Sequence, residues 1–82
     1  MRKNYEYYYN ICDQPDYELF YKQCAALEKH IPGLMKRILL QDIDGSLIQT
    51  YYHEKGELVV HNDYFDGELY IESDFDIEPY FE

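Results

Sequence analysis

The sequence predicts an α+β fold: a two-layer sandwich with one helix packed on an antiparallel β-sheet of four or five strands, in the order β-α-β-β-β-β. Three observations carry this expectation. One stretch alone, between Asp13 and His30, repeats its apolar residues at helical spacing. The other apolar runs are short and rich in aromatic and β-branched residues, as strands are. The runs after the helix are joined by tight-turn signals at Asp44-Gly45, Glu54-Lys55-Gly56 and Asp66-Gly67. Successive hairpins make an antiparallel meander. A single helix covers one sheet face and leaves the other to water or to a partner.

The first strand runs from Tyr5 to Ile11. Period two places Tyr5, Tyr7, Tyr9 and Ile11 on one face, and Asn4, Glu6, Tyr8 and Asn10 on the other. Tyrosines in a small domain supply core area with a wettable hydroxyl end. No basic groove accompanies them, so base stacking is not the reading adopted. The helix then starts with Asp13 as N-cap, Pro15 in the first turn, and Asp16 and Glu18 at the positive end of its dipole. It runs to about His30 and stops at Pro32-Gly33. Tyr17, Phe20, Cys24, Leu27 and Ile31 form one apolar stripe. Lys22, Glu28 and Lys29 take the wet side, with Glu18 and Lys22 as an i,i+4 pair.

Three or four strands follow: Met35 to Gln41, Leu47 to His53, Leu58 to His61, and a last run from Glu68 to about Ile77. In this last run Leu69, Ile71, Phe75 and Ile77 alternate with acids, and Pro79 ends the pairing. The expected core contains Phe20, Cys24, Leu27, Ile38, Leu40, Val59, Leu69 and Ile71. Residues 1–82 make a single domain. By area scaling a chain of this mass exposes roughly 5,200 Å² when folded and buries about 64% of its unfolded surface, enough for one modest core.

Net charge is −10, from 17 acids and 7 bases. This disfavours direct binding to nucleic acid, where cations must displace phosphate counterions, and to anionic membranes. No apolar run is long enough to span a bilayer. The opening Met1-Arg2-Lys3 leads into Asn4-Tyr5-Glu6 and does not read as a signal peptide. Cys12 and Cys24 are expected to lie too far apart for a disulfide, so free thiols and a cytoplasmic location are the reading.

The acids are unevenly placed. Residues 1–55 hold 8 acids and all 7 bases, whereas residues 56–82 hold 9 acids and no Lys or Arg. Like charges along one strand face repel each other, and a merely soluble surface would mix signs. The acids Asp63, Asp66, Glu68, Glu72, Asp74, Asp76 and Glu78, with Tyr70, are therefore the candidate partner-binding residues. Glu68, Glu72, Asp74 and Asp76 are expected to share one strand face with Tyr70. Tyr64, Phe65 and Tyr80 lie among them as further aromatic candidates.

Asp42-Ile43-Asp44-Gly45-Ser46-Leu47, after Arg37-Ile38-Leu39-Leu40-Gln41, resembles the first motif of haloacid-dehalogenase-type phosphatases. The resemblance implies Asp42 as nucleophile after a buried strand and Asp44 as acid/base, on a doubly wound domain with later Ser/Thr, Lys and acidic motifs. Only 36 residues follow Ser46, and none after Lys55 is a lysine. Asp-Gly is also ordinary hairpin-turn chemistry, and that reading is adopted. The same segment lacks the EF-hand spacing, because Gly45 comes too early. His30, His53 and His61 have no nucleophile spacing and read as structural. No catalytic residue, cofactor or metal is assigned.

The function expected from charge and size is inhibition by binding. The target would be a basic protein, as for an immunity protein neutralising a toxin or a nucleic-acid mimic blocking a nuclease or defence complex of bacterial or phage type. The alternative is a structural domain that forms a homodimer by sheet-edge pairing, with the acids serving solubility. The chain is thus expected to be a monomer or a homodimer.

Overall fold

The computed structural model describes residues 4–81; the reading of Met1-Arg2-Lys3 lies outside them, as does Glu82. The elements are β1 (Tyr7–Cys12), α1 (Tyr17–His30), β2 (Met35–Gln41), β3 (Leu47–His53), β4 (Gly56–Asp63) and β5 (Glu68–Ser73), followed by a terminal 3-10 turn, Glu78–Phe81. All strand pairs are antiparallel, in the spatial order β1-β5-β4-β3-β2. β1 and β2 form the two edges, so α1 carries the chain across the width of the sheet. The folded surface is 5463 Å².

α1 begins later than the sequence suggested. Asp16 rather than Asp13 is the N-cap: its Oδ1 accepts the Leu19 N–H at 3.0 Å. The Asp16 N–H donates to Oδ1 of buried Asn62 at 2.9 Å, which ties the helix start to β4. Pro15 precedes the helix. Ile31 closes it in extended conformation, its N–H bonding Leu27 O at 3.0 Å, and Gly33, two residues on, takes a left-handed conformation (φ +82°) in the turn to β2. Phe20, Cys24, Leu27 and Ile31 are buried as the stripe requires, but Tyr17 is exposed and donates its hydroxyl to Gly45 O at 2.8 Å.

The stripe packs on Leu47 and Tyr51 of β3, Leu58 and Val60 of β4, and Leu69 and Ile71 of β5. Half-buried Tyr9, Ile11 and Cys12 of β1 close the core at one side. Cys12 and Cys24 are free thiols, and burial pushes the Cys24 thiol up. Two expected core residues are not core. Ile38 is 79% and Leu40 55% exposed. β2 is an edge strand that α1 does not cover, touched from the helix by the Lys36–Glu28 ion pair at 3.5 Å, and all seven of its residues are exposed. Val59 is buried as expected, but it pairs with Glu72 and Thr50 on the sheet face away from the helix.

β5 stops at Ser73, not near Ile77. The buried Ser73 hydroxyl donates to Phe75 O at 2.6 Å and accepts the Phe75 N–H at 3.1 Å. This local turn competes with the ladder and ends the strand. Phe75 and Ile77 still reach the core, but from an irregular segment. β1 likewise begins at Tyr7, so Tyr5 is not part of the ladder.

The β2–β3 connection has positive φ at Gly45 (+91°), as expected, but at no non-glycine residue, so it is not a type I′ turn. Asp42 N–H bonds Ser46 O at 2.9 Å, and Gly45 N–H bonds Asp42 O at 3.1 Å. This is a type I turn closed by a glycine bulge, the usual three-residue hairpin loop.

Candidate functional site

The sheet face away from α1 carries the densest group of candidate residues. β5 sits between β1 and β4, and its register sets Tyr8 opposite Glu72, Asn10 opposite Tyr70, His61 opposite Tyr70, and Asp63 opposite Glu68. Cross-strand neighbours on one face touch. The rings of Tyr8 and Tyr70 lie 5.5 Å apart, and His61 stacks on the other side of Tyr70 at 4.5 Å with only 8° between planes. His61 Nε2 lies 3.0 Å from Glu72 Oε1. Asn10 Nδ2 donates to Glu68 Oε2 at 2.6 Å.

Beside this stack is an open groove of about 390 Å³, lined by Tyr5, Tyr8 and Tyr70 and by Asp66, Glu68 and Glu72. The Tyr5 hydroxyl donates to Glu57 of β4. Burial and this carboxylate bond raise the Tyr5 ionisation well above the ordinary tyrosine range. The described lysines and arginine lie on other elements: Lys22 and Lys29 on α1, Lys36 and Arg37 on β2, Lys55 in the β3–β4 turn. The groove therefore joins aromatic faces and carboxylates, the two groups that hold an ammonium or guanidinium.

The eight sequence candidates do not stay together. Asp66, Glu68, Tyr70 and Glu72 line the groove. Asp63 lies at the end of the same face, where its Oδ1 accepts the N–H groups of Phe65 (2.9 Å) and Asp66 (3.1 Å) and shapes the β4–β5 turn. Asp74 lies just past the end of β5, where its N–H donates to Glu57 O at 2.9 Å; its charge reaches Tyr5, but it does not line the groove. Its Oδ2 accepts the Glu57 N–H at 2.8 Å, and it packs closely against Gly56. Asp76 lies toward the core side of β1, accepting the Tyr9 hydroxyl at 2.7 Å and the Glu78 N–H at 3.1 Å. Glu78 opens the terminal 3-10 turn. The shared face expected for Glu68, Glu72, Asp74 and Asp76 is thus corrected at Asp76, which the turn after Ser73 carries to the Tyr9 side, while Asp74 is held at the strand end by Glu57.

Tyr70 is also not an exposed ring. It is 6% exposed, held between Tyr8 and His61, whereas Tyr8 is 56% exposed. Tyr8 is the aromatic contact the sequence reading missed. The signal was present, because alternation put Tyr8 and Asn10 opposite the inward tyrosines. What was missing was the pairing of β1 with β5. Tyr64 and Phe65 sit at the β4–β5 turn, and Tyr80 lies beyond Pro79 against His53 and Phe75.

Asp42 and Asp44 lie in the exposed β2–β3 turn, between antiparallel strands. This is not the end of a buried parallel strand that the phosphatase resemblance implies. Their carboxylates serve the turn: Asp42 Oδ1 accepts Ile43 N–H at 2.8 Å, and Asp44 Oδ1 accepts Ser46 N–H at 2.9 Å. The Ser46 hydrogen bonds hold the Asp44 carboxyl below its usual range. His53 Nδ1 accepts the Lys55 N–H at 3.1 Å, which leaves Nε2 to donate to Pro32 O at 2.9 Å in a turn-bracing tautomer. His30 packs on Phe81. Among the described residues no cluster of His, Cys, Asp and Glu has metal-binding geometry, and no helix is long and apolar enough to cross a membrane. Comparison with protein-family models, curated proteins and solved structures finds no match to this chain.

Proposed function

We propose that this chain is a small acidic binding protein that engages a basic protein partner through the groove beside β1 and β5, and that it acts by blocking that partner's basic surface. The observation that carries this reading is the convergence of Tyr8 with Asp66, Glu68 and Glu72 on a sheet face no helix covers. A lysine or arginine entering the groove meets carboxylates and an exposed ring. The surrounding negative field speeds encounter with a basic surface. A toxin neutralised by its immunity protein, or a nuclease blocked at its nucleic-acid cleft, has the required surface chemistry. Free Cys12 and Cys24 fit a reducing cytoplasm.

The test uses two groove residues outside the core; reversing Glu68 gives up its bond from Asn10, so circular dichroism checks that the variant folds. Asp66→Lys with Glu68→Lys reverses the groove while sparing Asp74 and Asp76. Partners captured from the source host on the wild-type chain are identified, purified and titrated against both chains across a salt series. The proposal expects an affinity that falls with salt, a slower association for the double reversal, and a faster dissociation for Tyr8→Ala. An affinity flat with ionic strength and indifferent to the reversal overturns it.

A further inference from the structure

β2 is the exposed edge of the sheet, and no described residue pairs with its outer side. Its seven residues include Met35, Ile38, Leu39 and Leu40, all exposed, and the turn that follows presents Ile43 fully to solvent. An apolar strand with free backbone groups is a template for another strand. Natural edges are blunted by charge and by bulges. β2 has both, but only in its first half. Lys36 and Arg37 lie there, and the register slips between Lys36 and Leu39. The Arg37 carbonyl at this bulge is turned to Nε2 of buried Gln49, 2.6 Å away. Residues 39–41 are regular and uncharged.

The turn fixes which backbone groups of that half are free. Asp42 and Ser46 form a hydrogen-bonded pair, so in the antiparallel ladder Leu40 is the next to bond inward, to Ile48. Leu39 and Gln41 therefore direct their N–H and C=O groups outward.

We infer that β2 is a homodimer interface, at which a second copy of this chain pairs antiparallel about a two-fold axis through Leu40. In that register Leu39 and Gln41 of each copy exchange hydrogen bonds, and the two Leu40 side chains meet on the open face. Continuing outward, Lys36 and Arg37 of one copy run alongside Asp42 and Asp44 of the other. The cations lie on one side of Leu40 and the turn acids on the other, so a two-fold axis matches opposite charges twice.

Charge also selects this edge over β1. Strands are spaced about 4.8 Å apart, so pairing at β2 leaves the two copies of acidic β5 seven spacings apart, about 34 Å. Pairing at β1 would bring them to three spacings, about 14 Å. The screening length is about 8 Å at physiological salt. Two copies with net charge −10 thus meet with least repulsion through β2.

The test is sedimentation equilibrium of the full chain from about 1 µM to about 1 mM. Wild type is expected to show a concentration-dependent monomer–dimer equilibrium. Leu40→Lys sets two ammonium groups opposite each other and should weaken the dimer at least about tenfold. Its circular-dichroism melting curve at low concentration should stay near wild type, because Leu40 is already 55% exposed. Ile38→Lys serves as a second surface variant. Arg37→Glu and Asp42→Lys should each weaken self-association, while an equimolar mixture of the two should form a heterodimer tighter than either homodimer. A wild-type chain that stays monomeric to about 1 mM, a dimer unmoved by Leu40→Lys, or a mixture no tighter than its parts overturns the inference.

Discussion

Replacing Leu27 with alanine, beside the same change at Leu40, tests where the core lies. Leu27 is fully buried at the centre of the α1 stripe. Truncation removes about three methylene equivalents at about 0.8 kcal/mol each, and the cavity left under the helix adds to this. The expected loss is about 3–5 kcal/mol. A domain of this length has a total stability of about 4–12 kcal/mol, so the variant should be close to unfolding. Leu40 carries the same side chain but is 55% exposed on an edge strand. Less than half of the transfer term applies and no closed cavity forms, so the loss should be about 1 kcal/mol or less. Urea unfolding followed by circular dichroism, at a few micromolar so that self-association does not add stability, reads both. With a slope of about 1.5 kcal/mol/M, the Leu27→Ala midpoint should fall by about 2 M or more. A Leu27→Ala loss below about 1 kcal/mol, or equal losses at the two sites, would refute the placement of the core between α1 and the central strands.

Three further outcomes are expected. Gly56→Ala should destabilise by about 1–3 kcal/mol in the same urea assay, because φ is +136° and an added Cβ would sit 2.5 Å from the Asp74 Cβ. Tyr9 is pushed up to about 12 by burial and its bond to Asp76. The unfolded chain therefore releases this proton first, near pH 10, so the Tyr9 contribution is intact below pH 10 and is lost as pH rises toward 12; melting temperatures measured from pH 8 to pH 12 check the sign. Asp76→Asn keeps an acceptor for the Tyr9 hydroxyl and the Glu78 N–H, so the fold should hold, while spectrophotometric titration should show Tyr9 ionising at lower pH than in wild type.

The elements were legible because each has a local cause. Asp16, the Phe20-Cys24-Leu27-Ile31 stripe and Gly33 mark the helix, and Gly45, Gly56 and Gly67 mark the turns. The spatial order of strands has no such local cause. An apolar run reads as buried, so the sequence predicts Ile38 and Leu40 in the core, although β2 falls at an edge that one helix does not cover. The end of β5 was readable in principle. Alternation continues through Asp74 and Asp76, but Ser73 and Asp74 are both side chains that capture nearby backbone groups, and they do so here. The site was half legible for the same reason. Glu68, Tyr70 and Glu72 share a face by period two, whereas the juxtaposition of Tyr8 with Glu72 depends on β1 returning to pair with the last strand.

The acids of residues 56–82 therefore divide by what their oxygens do. Asp63, Asp74 and Asp76 each accept backbone N–H groups and would be needed by the fold whatever the chain binds. A carboxylate satisfied in this way makes a poor direct contact, because a partner's lysine must compete with bonds already made. Its charge is not cancelled, however, and still adds to the field that draws a basic surface from several ångströms away. Asp66, Glu68 and Glu72 add to the same field and also line the groove with Tyr8. The sequence clustering of charge thus has two causes, turn chemistry and a contact surface. The first alone explains acids at strand ends, but it does not explain Glu68 and Glu72 inside β5, where neutral residues would leave the backbone ladder unchanged. Those two glutamates bond side chains of the neighbouring strands, Asn10 and His61, rather than backbone groups, and they are the ones that line the groove.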